Sequence, residues 1–162
     1  MAGGRASLVP TLTDAPAQIS VQGQQMLSFQ IEPREDAYLT VLVRGPDGSL
    51  TRLLADQPPL KLKAGQRFAF PPAGSDRLQA AEPLGAEDVF VLLSRLPRQY
   101  RELAGERAGS FETLPTGDAA SALLRQWRGE TPWLAGRFEG PCPGGSGCDD
   151  YGVARLRVEV VR

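Results

Sequence analysis

Apolar and polar side chains alternate with a period of two from Ile19 onward. Leu27, Phe29 and Ile31 share one face while Ser28 and Gln30 share the other, the pattern of a strand with one buried side. Residues 37 to 43, AYLTVLV, are almost continuously apolar and rich in β-branched and aromatic side chains, which predicts a central strand covered on both faces. Gly45-Pro46-Asp47-Gly48 then offers a preset proline φ and a glycine able to adopt positive φ, so a hairpin should return over residues 50 to 54. Gln57-Pro58-Pro59 ends that strand, because proline cannot donate to a ladder. Residues 61 to 66 turn around Gly65, and residues 67 to 70 form a short strand closed by Pro71-Pro72. Strands are also expected over 78 to 82 and 87 to 93, separated by a turn at Pro83-Leu84-Gly85.

Beyond Pro97 the pattern changes. Residues 98 to 107 suit a short helix and residues 116 to 128 a longer one, with Thr116 or Asp118 as N-cap, Leu123 and Trp127 on one face, and Gly129 and Pro132 as the stop. A closing hairpin is expected from a strand over 133 to 139, a loop over 140 to 150 and a strand over 151 to 161. In the last of these, Ala154, Leu156, Val158 and Val160 alternate with Arg155, Arg157 and Glu159. Residues 1 to 16 read as an irregular leader and residues 17 to 162 as one β-rich domain. The expected fold is mainly β: an antiparallel β-sandwich or partly open barrel of about seven to nine short strands, with one or two helices inserted before the C-terminal hairpin.

The 162 residues fit one domain that buries about 70% of its unfolded surface. No stretch approaches the roughly 18 apolar residues that cross a bilayer as a helix, and the first residues lack the pattern of a secretory signal. A formal charge of −1 gives no bulk attraction to phosphate backbones, so nucleic acid is not expected as a partner. The chain has no histidine. This excludes self-contained Ser-His-Asp and Cys-His nucleophilic systems, His-ligated metals and the usual general base at neutral pH.

The segment from residue 35 to 96 resembles the bacterial family known as domain of unknown function 4384. The resemblance rests on Asp36 before the aromatic strand Tyr38 to Val43, the Asp47-Gly48 turn, Leu53-Leu54 before a proline-containing loop, Ala64-Gly65-Gln66, Phe70-Pro71, and Pro83-Leu84-Gly85 followed by Glu87 and Val89 to Ser94. Ala55-Asp56 departs from the family pattern, which usually continues towards a Pro-Asn pair. The resemblance implies a non-catalytic appendage of envelope or secreted bacterial proteins, often joined to caspase-like peptidases or protein kinases, with no catalytic residues to carry over.

Cys142 and Cys148 bracket a glycine-rich loop between expected strands, a placement that favours a disulfide and hence a periplasmic or extracellular location. A metal site from Cys142, Cys148, Asp149 and Asp150 is the weaker alternative, since the spacing matches no paired motif. The adjacent carboxylates Glu35-Asp36 and Glu87-Asp88 could serve a hydrolase of cell-wall glycan, but neighbours in a strand face opposite ways. Trp127, Trp133, Tyr100 and Tyr151 could form an aromatic platform for glycan or peptide, set against their use in packing, and Trp127, Trp133 and Tyr151 are the candidate binding surface. The reading that follows is a non-catalytic interaction module recognising a protein partner or cell-wall component, with no cofactor and no metal. The alternatives are the glycan hydrolase and a spacer or regulatory domain.

Overall fold

The computed structural model describes residues 5–100, 105–114, 137–138, 140–142, 147–148 and 150–162. Among them are thirteen strands in three sheets, most of them short. The fold is mainly β, and its open sheets do not close into a barrel.

The larger layer is built on three long neighbours: β4 (Ala37–Arg44), β8 (Gly85–Ser94) and β13 (Tyr151–Val161). β4 pairs antiparallel with β8, and β8 with β13. β2 (Gln18–Ser20) closes one side of this layer and runs parallel to β13. On the other side β4 carries two short partners, β5 (Leu50–Arg52) at its end and β6 (Leu60–Leu62) at its start. β11 (Phe111–Leu114) extends the layer from β5, and β10 (Glu106–Ala108) from β11. The smaller layer is β1 (Thr11–Thr13), β3 (Phe29–Glu32) and β7 (Phe68–Phe70). A two-stranded piece joins β9 (Arg98–Gln99) to β12 (Arg137–Phe138).

The hydrophobic alternation explains why the layers stack. Leu39, Val41 and Val43 of β4, Val89, Val91 and Leu93 of β8, and Val158 of β13 all turn to one side. There they meet Phe29, Ile31 and Phe70 of the smaller layer in one buried cluster. Phe29 and Phe70 stack at 4.8 Å between ring centroids. Each fully buried aliphatic side chain in this cluster contributes about 1.5–3 kcal/mol of transfer free energy. The Gly45–Ser49 turn behaves as its residues dictate: Gly48 has φ +84°, and the Asp47 carboxylate accepts from the Ser49 amide at 3.0 Å.

Several expectations are corrected. Residues 98–107 are not a helix in their described parts, since Arg98–Gln99 and Glu106–Ala108 are strands; pairing across the sheet overrides a weak local helical preference. The expected closing hairpin does not form, because β13 lies between β8 and β2 while β12 pairs β9. Residues 78–82 contribute a single bridge, Met26 to Gln79, rather than a strand. The leader is not irregular throughout. Its β1 pairs with β3, and Leu8 is fully buried. Gly152 makes room for that approach, since a Cβ there would collide with the backbone of Leu8 and Val9. The expected helix over 116–128 lies outside the described residues.

Candidate functional site

The other face of the larger layer has a different chemistry. Register places Tyr38, Ser94 and Tyr151 in one row across β4, β8 and β13, and Leu42, Phe90 and Arg155 in another. A third row runs Arg44, Asp88, Arg157. Leu42, Phe90, Leu92 and Tyr151 are buried here, yet cations cover aromatic rings throughout. The Arg44 guanidinium lies 5.7 Å from the Phe90 centroid, Arg52 5.8 Å from Tyr100, and Arg98 5.4 Å from Tyr151. The Lys61 ammonium lies 5.8 Å from the Tyr38 ring. Contacts of this kind hold a charge and a ring in a fixed relation.

A groove of about 670 Å³ opens on this face, a volume within the range of about 300–1,000 Å³ usual for ligand sites. Its base is Tyr38 and Thr40 of β4: Tyr38 is paired with Lys61 of β6, and Thr40 lies between the stretch of β4 that pairs β6 and the stretch that pairs β5. One wall is the excursion from Leu53 to Leu60, including Pro58 and Pro59; the opposite wall is Pro97 to Tyr100. Arg52, Arg107 and Glu112 close one end. The three belong to adjacent strands in register, so the Glu112 carboxylate is flanked by two guanidinium rows. Arg52 Nε and Nη2 both donate to Glu112 Oε1, at 3.0 and 2.9 Å. Arg107 is exposed at the mouth. Burial pushes the Tyr100 hydroxyl well above the usual phenol range, so it stays neutral.

The loop wall is fastened. Leu54 takes a left-handed conformation, φ +58°, which a bulky residue adopts at a cost of about 1–2 kcal/mol. The surrounding bonds hold it there: the Ala55 amide donates to the Ser110 carbonyl at 2.8 Å, and the Gln57 amide to the Leu54 carbonyl at 3.1 Å. Ser110 and Asp76 lock the neighbouring turn reciprocally, the Asp76 amide donating to Ser110 Oγ and the Ser110 amide to Asp76 Oδ2. The groove is thus preformed.

The carboxylate pairs separate as strand geometry requires. Asp88 is buried on the outer face, where Arg44 donates to Oδ2 at 2.9 Å and Arg157 to Oδ1 at 3.2 Å. The bond from Arg44, with Arg157 and Arg155 adding to it, holds the Asp88 carboxyl below its ordinary range despite burial. Glu87 points the other way and is raised, first by burial and then by the charge of Asp47. Glu35 pairs with Arg95 at 3.2 Å, and Asp36 accepts from the Ala64 amide at 2.8 Å. Each of the four thus has a distinct environment, and no two of them line the groove.

Cys142 and Cys148 form a disulfide, with Cα atoms 5.6 Å apart. It closes just before Asp150, whose Oδ2 accepts from both Arg5 Nε and Arg95 Nε at 3.1 Å. Among the described residues, no group of three or more His, Cys, Asp or Glu could hold a metal ion. No helix of the described residues is long and apolar enough to cross a membrane. Tyr151 is buried, with the Arg98 guanidinium over its ring. Trp127 and Trp133 lie outside the described residues.

Residues 20–97 match the family described as Domain of unknown function (DUF4384). This central segment belongs to that family. No curated protein and no solved structure matches the chain. The DUF4384 segment supplies β3 to β8, the base of the groove and the Leu53–Leu60 wall, and it ends at Pro97. Arg98, Tyr100, Arg107 and Glu112 come from the chain beyond DUF4384. Sequence reasoning named Tyr100 among the aromatic candidates but missed Arg98, Arg107 and Glu112, because reading 98–107 as a helix hid the strand alternation that places Arg107, Glu112 and Arg52 in one row. The signal was present in Gly109-Ser110, a turn between ERA and FETL.

Proposed function

We propose that this protein is a non-catalytic binding module that recognises a protein partner through the groove on the outer face of its larger sheet. The observation that carries this reading is a preformed recess whose strained wall residue, Leu54, is held by neighbouring backbone bonds. Strain maintained by surrounding structure is concentrated at functional sites, and a fixed wall lowers the ordering cost of binding. The groove's described lining includes one carboxylate, Glu112, already bonded to Arg52, so two convergent acids of the glycosidase kind are not found among the described residues that line it. The disulfide suits an oxidising compartment, which supports reading the module as a periplasmic or extracellular part of an envelope or secreted protein.

A photoreactive side chain at Gln57, on the groove wall, tests this in cells that produce the protein. A discrete covalent adduct should form there and be absent when the same group replaces Gln66, an exposed turn residue on another part of the surface. Absence of an adduct at Gln57, or equal adducts at both positions, overturns the proposal.

A further inference from the structure

The charges around the groove define the chemistry of its occupant. The charged side chains of its described lining are Arg52, Arg98, Arg107 and Glu112, three cations against one anion. Glu112 is spent on Arg52, which donates to it through two nitrogens, and Lys61 adds a further cation beside Tyr38. This surplus is local, since the whole chain carries a formal charge of −1. An anion entering the groove therefore meets fixed positive charge between low-dielectric walls, where attraction is stronger than at an open surface.

The aromatic groups distinguish a peptide from a glycan. Sugars bind proteins by stacking on open aromatic faces, but Tyr38, Tyr100 and Tyr151 each have a cation over the ring, and Tyr100 and Tyr151 are buried. What the groove presents instead is guanidinium groups, from Arg52 and Arg107 at one end and Arg98 on one wall, and an apolar wall of Leu53, Leu54, Leu60, Pro58 and Pro59 opposite Arg98. An extended peptide has side chains alternating between two faces. Acidic residues on one face would meet the arginines while apolar residues on the other met the leucine and proline wall.

We propose that the groove binds an extended acidic segment of a protein partner, with alternating carboxylate and apolar side chains, and that Arg107 at its mouth is the principal reader of the carboxylates. This rests on the binding-module reading and names its ligand class. Arg107 fits the role because it is exposed, opposes Glu112 in register, and makes no ion pair among the described residues.

The test uses a fluorescent hexapeptide of alternating glutamate and leucine, titrated against the full chain by anisotropy. A glutamine and leucine peptide is the neutral control, and an oligouronate the competing glycan. The acidic peptide should bind about tenfold or more tightly than the neutral one, with affinity falling as salt rises. Arg107→Glu should weaken it by about tenfold or more and Arg107→Gln by a smaller factor, while Arg162→Glu, at the chain's end, should leave it unchanged. Melting temperatures of the Arg107 variants should match that of the parent, since the side chain is exposed. Equal affinity for the two peptides, no binding up to about 1 mM, no effect of either Arg107 variant, or tighter binding of the oligouronate each overturns the proposal. A Gln57 adduct alongside any of these outcomes leaves the module reading standing and refutes the ligand class alone. Loss of the Gln57 adduct refutes the reading beneath it.

Discussion

The two faces of the β4, β8 and β13 layer are made by the same strands and the same alternation, yet they carry different burdens. Inward, Val41, Val91, Leu93 and Val158 are completely buried without a polar atom among their side chains. Outward, equally buried Leu42 and Leu92 share the surface with Asp88, Arg98 and Glu112. Buried charge is costly unless paired and hydrogen-bonded. The inner face needs nothing beyond burial to explain it. On the outer face, salt-bridge and cation-ring geometry set the positions of Arg44, Arg52 and Arg98, and that positioning is what a recognition surface requires.

The largest effect should come from the inner face. Leu93→Ala removes a fully buried side chain from the main cluster, and its unfolding free energy should fall by about 2–5 kcal/mol in urea titration. Acidic-peptide affinity, corrected for the folded fraction, should be unchanged. Arg107→Glu should do the reverse, leaving stability intact and losing affinity. If Leu93→Ala weakened binding by the folded molecules, the two faces would be coupled and their contrast would dissolve.

Next in size is the outer ion pair. Glu112→Ala strands Arg52, whose side chain is 21% exposed, and should cost about 1–3 kcal/mol. Arg52→Ala in the same background should cost little more, so the double-mutant cycle should return a coupling of about 1–2 kcal/mol. Additive losses would show that the pair is a solvated surface contact and that the groove's end is not held by it.

How far the sequence disclosed this division depends on the element. The inner face was legible because period-two alternation is a local signal: Leu27, Phe29 and Ile31, and likewise Ala154 to Val160, announce their buried side by spacing alone. The Cys142–Cys148 disulfide was legible from a short ring between strands, and the family from the turn residues of the central segment. The groove was not. Arg52, Glu112 and Arg107 are far apart in the chain and become neighbours only through β5, β11 and β10, a pairing that no local pattern encodes. The order β8, β13, β2 was hidden likewise, because a parallel partner from the chain's beginning leaves no hairpin turn to read.

A smaller effect separates the faces by pH. Asp88 has a folded pKa lowered chiefly by Arg44, so its contribution to stability is present above the unfolded value of about 3.9 and is lost as pH falls through the folded one. Asp88→Asn should therefore lower the melting temperature at pH 7, with a cost on the order of 1 kcal/mol, since Arg44 is 42% exposed. The deficit should shrink below about pH 4 as the parent loses the same contribution. A deficit independent of pH would mean that Asp88 acts through packing rather than charge.

Its neighbour should show the opposite sign. Glu87 sits opposite Val158 at the end of the inner face, and its pKa is raised by burial and by Asp47. The folded protein then holds a proton more tightly than the unfolded chain, so stability declines as pH rises from the unfolded value of about 4.3 through the raised one. Glu87→Gln removes that penalty. The variant should melt slightly higher than the parent at pH 7, by about 0.5 kcal/mol or less, and the advantage should vanish near pH 4. Adjacent carboxylates with opposite pH signatures would show that the inner face resists charge and the outer face accommodates it; shifts of the same sign would erase the distinction.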